Sequence, residues 1–81
     1  MSKDEILEKL TSVFRDIFED DAIVLERGMT ADDVKEWDSA NHINLVVAAE
    51  MRFRMKISTA EVDALKNVGD FVDLIERKTS Q

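Results

Sequence analysis

The chain has 81 residues, no Cys, no Pro and a single His, so neither a disulfide nor a Cys-rich metal centre can staple its small core. It carries 18 acidic and 11 basic side chains, a net charge of −7, which disfavours nucleic acid as a partner. No apolar run reaches the length of a bilayer, so no membrane association is expected.

The elements follow in chain order. Ser2 with Glu5 makes a capping-box pattern. Leu7, Leu10, Phe14 and Ile17 recur at helical spacing, flanked by Ile6, Val13 and Phe18. The first ten residues lack a signal-peptide core, and the cytoplasm is the expected compartment. Glu19-Asp20-Asp21 closes this helix, since acids sit badly at a helix C-terminus. Residues 22–38 lack a sustained helical period. Ile23, Val24 and Leu25 form a short apolar patch, Gly28 permits a turn, and Thr30 can cap a turn containing Asp32 and Asp33. A connection of this length in a small domain is often functional. Ile23, Leu25 and Val34 are expected to pin it to the core.

A second helix is expected from Asp38 or Ser39 to about Phe53. The segment "RFRMKIS" then alternates basic and apolar residues and reads as an extended connector. Ser58 to Glu61 is another capping box, starting a short helix through Leu65 with Val62 and Leu65 inward. Asn67 can cap a last helix holding Val68, Phe71, Val72, Leu74 and Ile75, with Arg77 and Lys78 in its final turn. The expected fold is therefore all-α: a four-helix bundle of three longer helices and one short one, spanning 1–81 as one domain. Its longest loop lies between the first two helices.

The second helix has two apolar sides. At about 100° per residue, Leu45, Val46, Ala49 and Phe53 share one face, with His42 at its edge. Ala40, Asn44, Val47 and Met51 lie on another. A helix in so small a bundle cannot bury its whole circumference, so the second stripe is expected to meet a partner. The helix opens on Trp-Asp-Ser, three residues that core packing does not demand. Asp38 suits an N-cap. Ser39 then stands at the first helical position, exposed, where free N–H groups and the helix dipole tolerate a phosphate ester.

Charge is unevenly distributed: residues 1–38 hold 12 acidic and 5 basic side chains, and residues 39–81 hold 6 of each. The acidic half should attract basic partner surfaces. Ser39 and His42 could meet on one helical turn, but a Ser–His nucleophile also needs an orienting acid and an oxyanion hole. Neither Glu19-Asp20-Asp21 nor Asp32-Asp33 has the alternating ligands of an EF-hand, so no metal site is expected.

The stretch "WDSANHINLVVAAEMRFRMKIS" resembles the modification region of acyl carrier proteins. The order of helices, the long first loop and the closing "LKNVGDFVDLIERK" fit that family as well. The resemblance implies a non-catalytic carrier, with 4′-phosphopantetheine from coenzyme A attached at Ser39 by a phosphopantetheinyl transferase. The arm would hold acyl intermediates as thioesters for fatty-acid, polyketide or related biosynthesis. Asp38 would help position the transferase. Acyl-loading and acyl-processing enzymes would dock along the helix beginning at Ser39, through Ala40, Asn44, Val47 and Met51, on a monomer. Aminoacyl, peptidyl and D-alanyl carriers share this architecture, and an unmodified helical interaction module would use the same stripe.

The sequence departs from the family pattern at three of these positions. Ala40 stands where Leu is usual, and Asn44 and Met51 stand where acids are frequent. The departures imply a specialised carrier whose partners grip by apolar contact. Ala49 is small for its core position, which implies spare volume inside the bundle.

Overall fold

A computed structural model describes residues 2–80. It is all-helical, with α1 at Lys3–Phe18, α2 at Ser39–Phe53, α3 at Thr59–Ala64 and α4 at Val68–Thr79. This is the arrangement of three longer helices and one short one that the sequence patterns lead to.

In α1, the Ser2 hydroxyl accepts the Glu5 N–H at 3.2 Å. The Glu5 carboxylate does not return to Ser2; it pairs with Lys9 one turn on, at 3.8 Å, so only half of the expected box forms. Ile6, Leu10, Val13 and Phe14 are buried, while Leu7, Ile17 and Phe18 are half-buried against the same core. The buried stripe is thus centred closer to Ile6 and Val13 than the spacing of Leu7 and Ile17 suggests. Glu19 ends the helix in the left-handed region, φ 52°.

The long connection is anchored at several points. Leu25 and Val34 are buried as expected, Ile23 is half-buried, and Val24 points outward. The Arg15 guanidinium holds the Ile23 carbonyl at 2.8 Å. Thr30 and Asp33 close the expected turn: Asp33 accepts the Thr30 N–H at 3.0 Å, and the Thr30 hydroxyl accepts from Asp32 at 3.2 Å. Gly28 lies in a turn but without positive φ. Further along, Val68 N–H donates to the Met29 carbonyl at 2.9 Å and Gly69 N–H to the Arg27 carbonyl at 2.7 Å. Loop carbonyls thereby satisfy two of the orphan donors of the first turn of α4. A Cβ at Gly69 would lie 3.0 Å from the Arg27 carbonyl oxygen, so glycine permits that close approach. Arg27 also grips both carboxylate oxygens of Asp73, at 3.0 and 3.1 Å.

Trp37 corrects the sequence reading. It belongs to the core, 5% exposed. Its indole meets Phe14 edge-on at 5.2 Å and lies 6.3 Å from Phe71. The last residues of the connection are therefore structural as well as adjacent to Ser39.

Helix α3 has a complete capping box between Ser58 and Glu61. Leu65 is buried and Val62 half-buried, as expected. Glu61 also meets Lys78 of α4 at 2.9 Å. The Ser58 backbone N–H, and then Lys78, hold the Glu61 carboxyl at about 2, well below its ordinary value. Asn67 caps α4 by accepting the Asp70 N–H at 2.8 Å. The apolar residues expected on α4 are all buried.

Candidate functional site

Helix α2 begins where the sequence suggests. Asp38 is its N-cap, in extended backbone, and its carboxylate accepts the Asn41 N–H at 2.9 Å. The Asn41 side chain donates back to the Glu36 carbonyl at 2.8 Å, and Asn44 donates to the Asn41 side-chain oxygen at 3.2 Å. These bonds fix the entry of the chain into the helix. Ser39 is the first helical residue, and Asp38, Ser39 and Ala40 are all exposed. The backbone N–H groups of Ser39 and Ala40 have no acceptor among the described residues. An exposed hydroxyl beside unpaired helix-start donors fits a phosphate ester, so the residues present suit the arm that the sequence resemblance implies.

Behind Ser39 lies a relay that the sequence does not disclose. The Trp37 indole N–H donates to His42 Nδ1 at 3.0 Å. Indole nitrogen can only donate, so Nδ1 is the acceptor and the ring proton sits on Nε2. His42 Nε2 then faces the Val62 carbonyl of α3 at 3.3 Å. The two ring planes lie within 19° of one another, with centroids 6.1 Å apart. Both imidazole nitrogens are thus committed to Trp37 and Val62, and neither is bonded to Ser39. The Ser39–His42 pair that sequence spacing allows is not assembled, and the Asp38 carboxylate is turned to the backbone.

An open cleft of about 550 Å³ adjoins Ser39. Its apolar lining comes from Ala31, Trp37, Ile43, Val62 and Leu65, and His42, Asp63 and Lys66 add polar groups beside Asp38 and Ser39. Ala49, where spare interior volume was expected, is fully buried and does not line this cleft.

Along α2, Leu45, Val46, Ala49 and Phe53 are buried. Ala40 and Asn44 are exposed on the opposite side, with Val47 at 48% and Met51 at 77% exposure. Ile43, at 52%, extends this stripe back towards Ser39. The sequence reading missed it, although Ile43, Val47 and Met51 keep the four-residue spacing of a single face. A second open cleft, lined by Val47, Met51, Met55, Arg54 and Lys56 among others, lies at the far end of the stripe. No helix is long and apolar enough to cross a membrane among the described residues.

No protein-family model matches the chain. Curated relatives do. An acyl carrier protein of Acidothermus cellulolyticus is 34% identical over 98% of this chain and 94% of its own length. One from Thermotoga maritima is 32% identical, covering 95% of each, and one from Kocuria rhizophila is 38% identical, covering 93% of each. The solution structure of a holo acyl carrier protein from Geobacter metallireducens superposes with a TM-score of 0.86 at 44% identity, over 91% of this chain and 85% of that one. The end-to-end match in sequence and the match in fold lead to one conclusion: the chain belongs to the acyl carrier protein family.

Proposed function

We propose that this protein carries acyl intermediates as thioesters on a 4′-phosphopantetheine arm esterified to Ser39. The observation that carries the reading is the position of Ser39: an exposed hydroxyl at the first residue of α2, directly after its Asp38 cap. The cofactor supplies the thiol, which this Cys-free chain lacks. The protein supplies a fixed exit point and a surface, raising the effective concentration of the tethered group at each enzyme. It performs no bond chemistry of its own; its partners are a phosphopantetheinyl transferase and the enzymes that load and process the cargo, in the cytoplasm.

Docking uses the Ala40, Asn44, Val47 and Met51 face, extended by Ile43. Glu50 is the one acid of α2, and its carboxylate is already engaged by the Ile57 N–H at 2.8 Å. Recognition through this helix therefore rests on apolar contact, which favours a specialised pathway over housekeeping fatty-acid synthesis. Full-rate loading and extension by housekeeping partner enzymes would overturn that part of the reading.

The attachment itself is tested by mass. Incubation with coenzyme A, Mg²⁺ and a broad-specificity phosphopantetheinyl transferase should add one phosphopantetheine, mapped to Ser39, and Ser39→Ala should abolish it. No added mass would leave an unmodified interaction module. Cargo found on protein purified from its host separates an acyl carrier from an aminoacyl, peptidyl or D-alanyl carrier.

A further inference from the structure

We propose that Trp37 sets the size of the cargo, closing the bundle interior so that only a short acyl group, resting in the open cleft beside Ser39, is accommodated. This rests on the carrier reading of Ser39 given above. Trp37 stands two residues before Ser39 and lines the cleft together with His42, Ile43, Val62 and Leu65. Phe14 and Phe71 lie directly behind the indole, at centroid distances of 5.2 and 6.3 Å, and both are fully buried. Neither of them lines the cleft. On the side facing Phe14 and Phe71, the wall between cleft and core is thus the Trp37 and His42 rings.

That wall is held on several sides. Trp37 contacts Phe14 edge-on, which is a favoured aromatic geometry. Its N–H is committed to His42, and His42 in turn reaches the Val62 carbonyl. His42 also meets Phe71 edge-on at 5.9 Å. A long acyl chain entering from Ser39 would have to displace the indole. That would break its contacts with Phe14 and leave a buried donor without an acceptor. A short chain needs no such displacement. The cleft is within the size range of small-ligand sites and already has an apolar floor. Asp63 and Lys66 at its margin leave room for a polar substituent on the cargo.

The test uses the whole chain, loaded at Ser39 from acyl-coenzyme A donors with four-, eight- and twelve-carbon acyl groups. Thermal midpoints and the amide and indole NMR shifts are then compared with those of the form bearing the unacylated arm. For the wild type, the midpoint should not rise from four to twelve carbons. Shifts should move at Ile43, Val62, Leu65 and the Trp37 indole, while Phe14 and Phe71 stay in place. Trp37→Ala should give a midpoint that rises with chain length, with Phe14 and Phe71 now moving. Trp37→Phe keeps an aromatic wall without the N–H and should show an intermediate rise. A steady rise in the wild type with shifts at Phe14 and Phe71 would overturn the inference, and this decides the matter even if Trp37→Ala fails to fold. Absence of added mass at Ser39 would instead sink the carrier reading, and this inference with it.

Discussion

Helices α1 and α2 have 16 and 15 residues and lie against one another, yet they spend their apolar residues differently. In α1 every Ile, Leu, Val and Phe is buried or half-buried on the core. Its other faces carry charge. In α2 the core takes Leu45, Val46, Ala49 and Phe53, and Ile43, Val47 and Met51 remain exposed. Folding accounts for all of the first helix and for only part of the second. The apolar surplus on α2, laid out from the candidate attachment serine, is what structure alone does not require.

Three substitutions test that contrast, in order of expected effect on stability. Phe14→Ala on α1 should cost about 3–5 kcal/mol, since it empties a fully buried aromatic site. Chemical denaturation should register it as a loss of much of the stability of so small a domain. Asp38→Ala should cost about 1 kcal/mol by leaving the first turn of α2 uncapped, and should leave the α1 side of the molecule unchanged by amide exchange. Replacing Met51 by Ser should change stability by no more than about 0.5 kcal/mol while slowing loading by a cognate enzyme. If Met51→Ser destabilised the fold as Phe14→Ala does, the contrast between the helices would disappear.

The smallest effect concerns α3. The Glu61 carboxyl is lowered from 4.5 to about 2 by the Ser58 N–H and Lys78. A depressed carboxylate stabilises the fold above its unfolded value and loses that contribution as pH falls through its folded value. The α3–α4 contact should therefore weaken between about pH 4.5 and 2, and Glu61→Gln should flatten that limb of a melting-point profile. Asp73, lowered by Arg27 and then Lys3, titrates in the same sense on the loop side and serves as the internal control.

Most of the fold is legible in the sequence because three helices announce themselves by period and cap. Ser2, Asp38, Ser58 and Asn67 all cap their helices, although only half of the box expected at Ser2 forms. The exposure of Ser39 follows from the cap one residue before it. Trp37 is different. It sits in a segment without period, so no pattern assigns it a side, and only its contacts with Phe14 and Phe71 make it core. The His42 relay is likewise invisible, since its second partner is a backbone carbonyl twenty residues away. Arg27 and Asp73 are 46 residues apart, beyond the reach of any local pattern. Ile43 needed no tertiary knowledge; its spacing to Val47 and Met51 was enough to find it.

The carbonyls of Arg27 and Met29 cap the start of α4 across about forty residues of chain, so that turn is not held by local bonds alone. A peptide of α4 alone would fray there, whatever its propensity. Deuterium uptake at Val68 and Gly69 would then clock the lifting of the first loop, not the melting of the helix that bears those amides. A signal from the last helix would thus report when the segment leading to Trp37 and Ser39 comes loose.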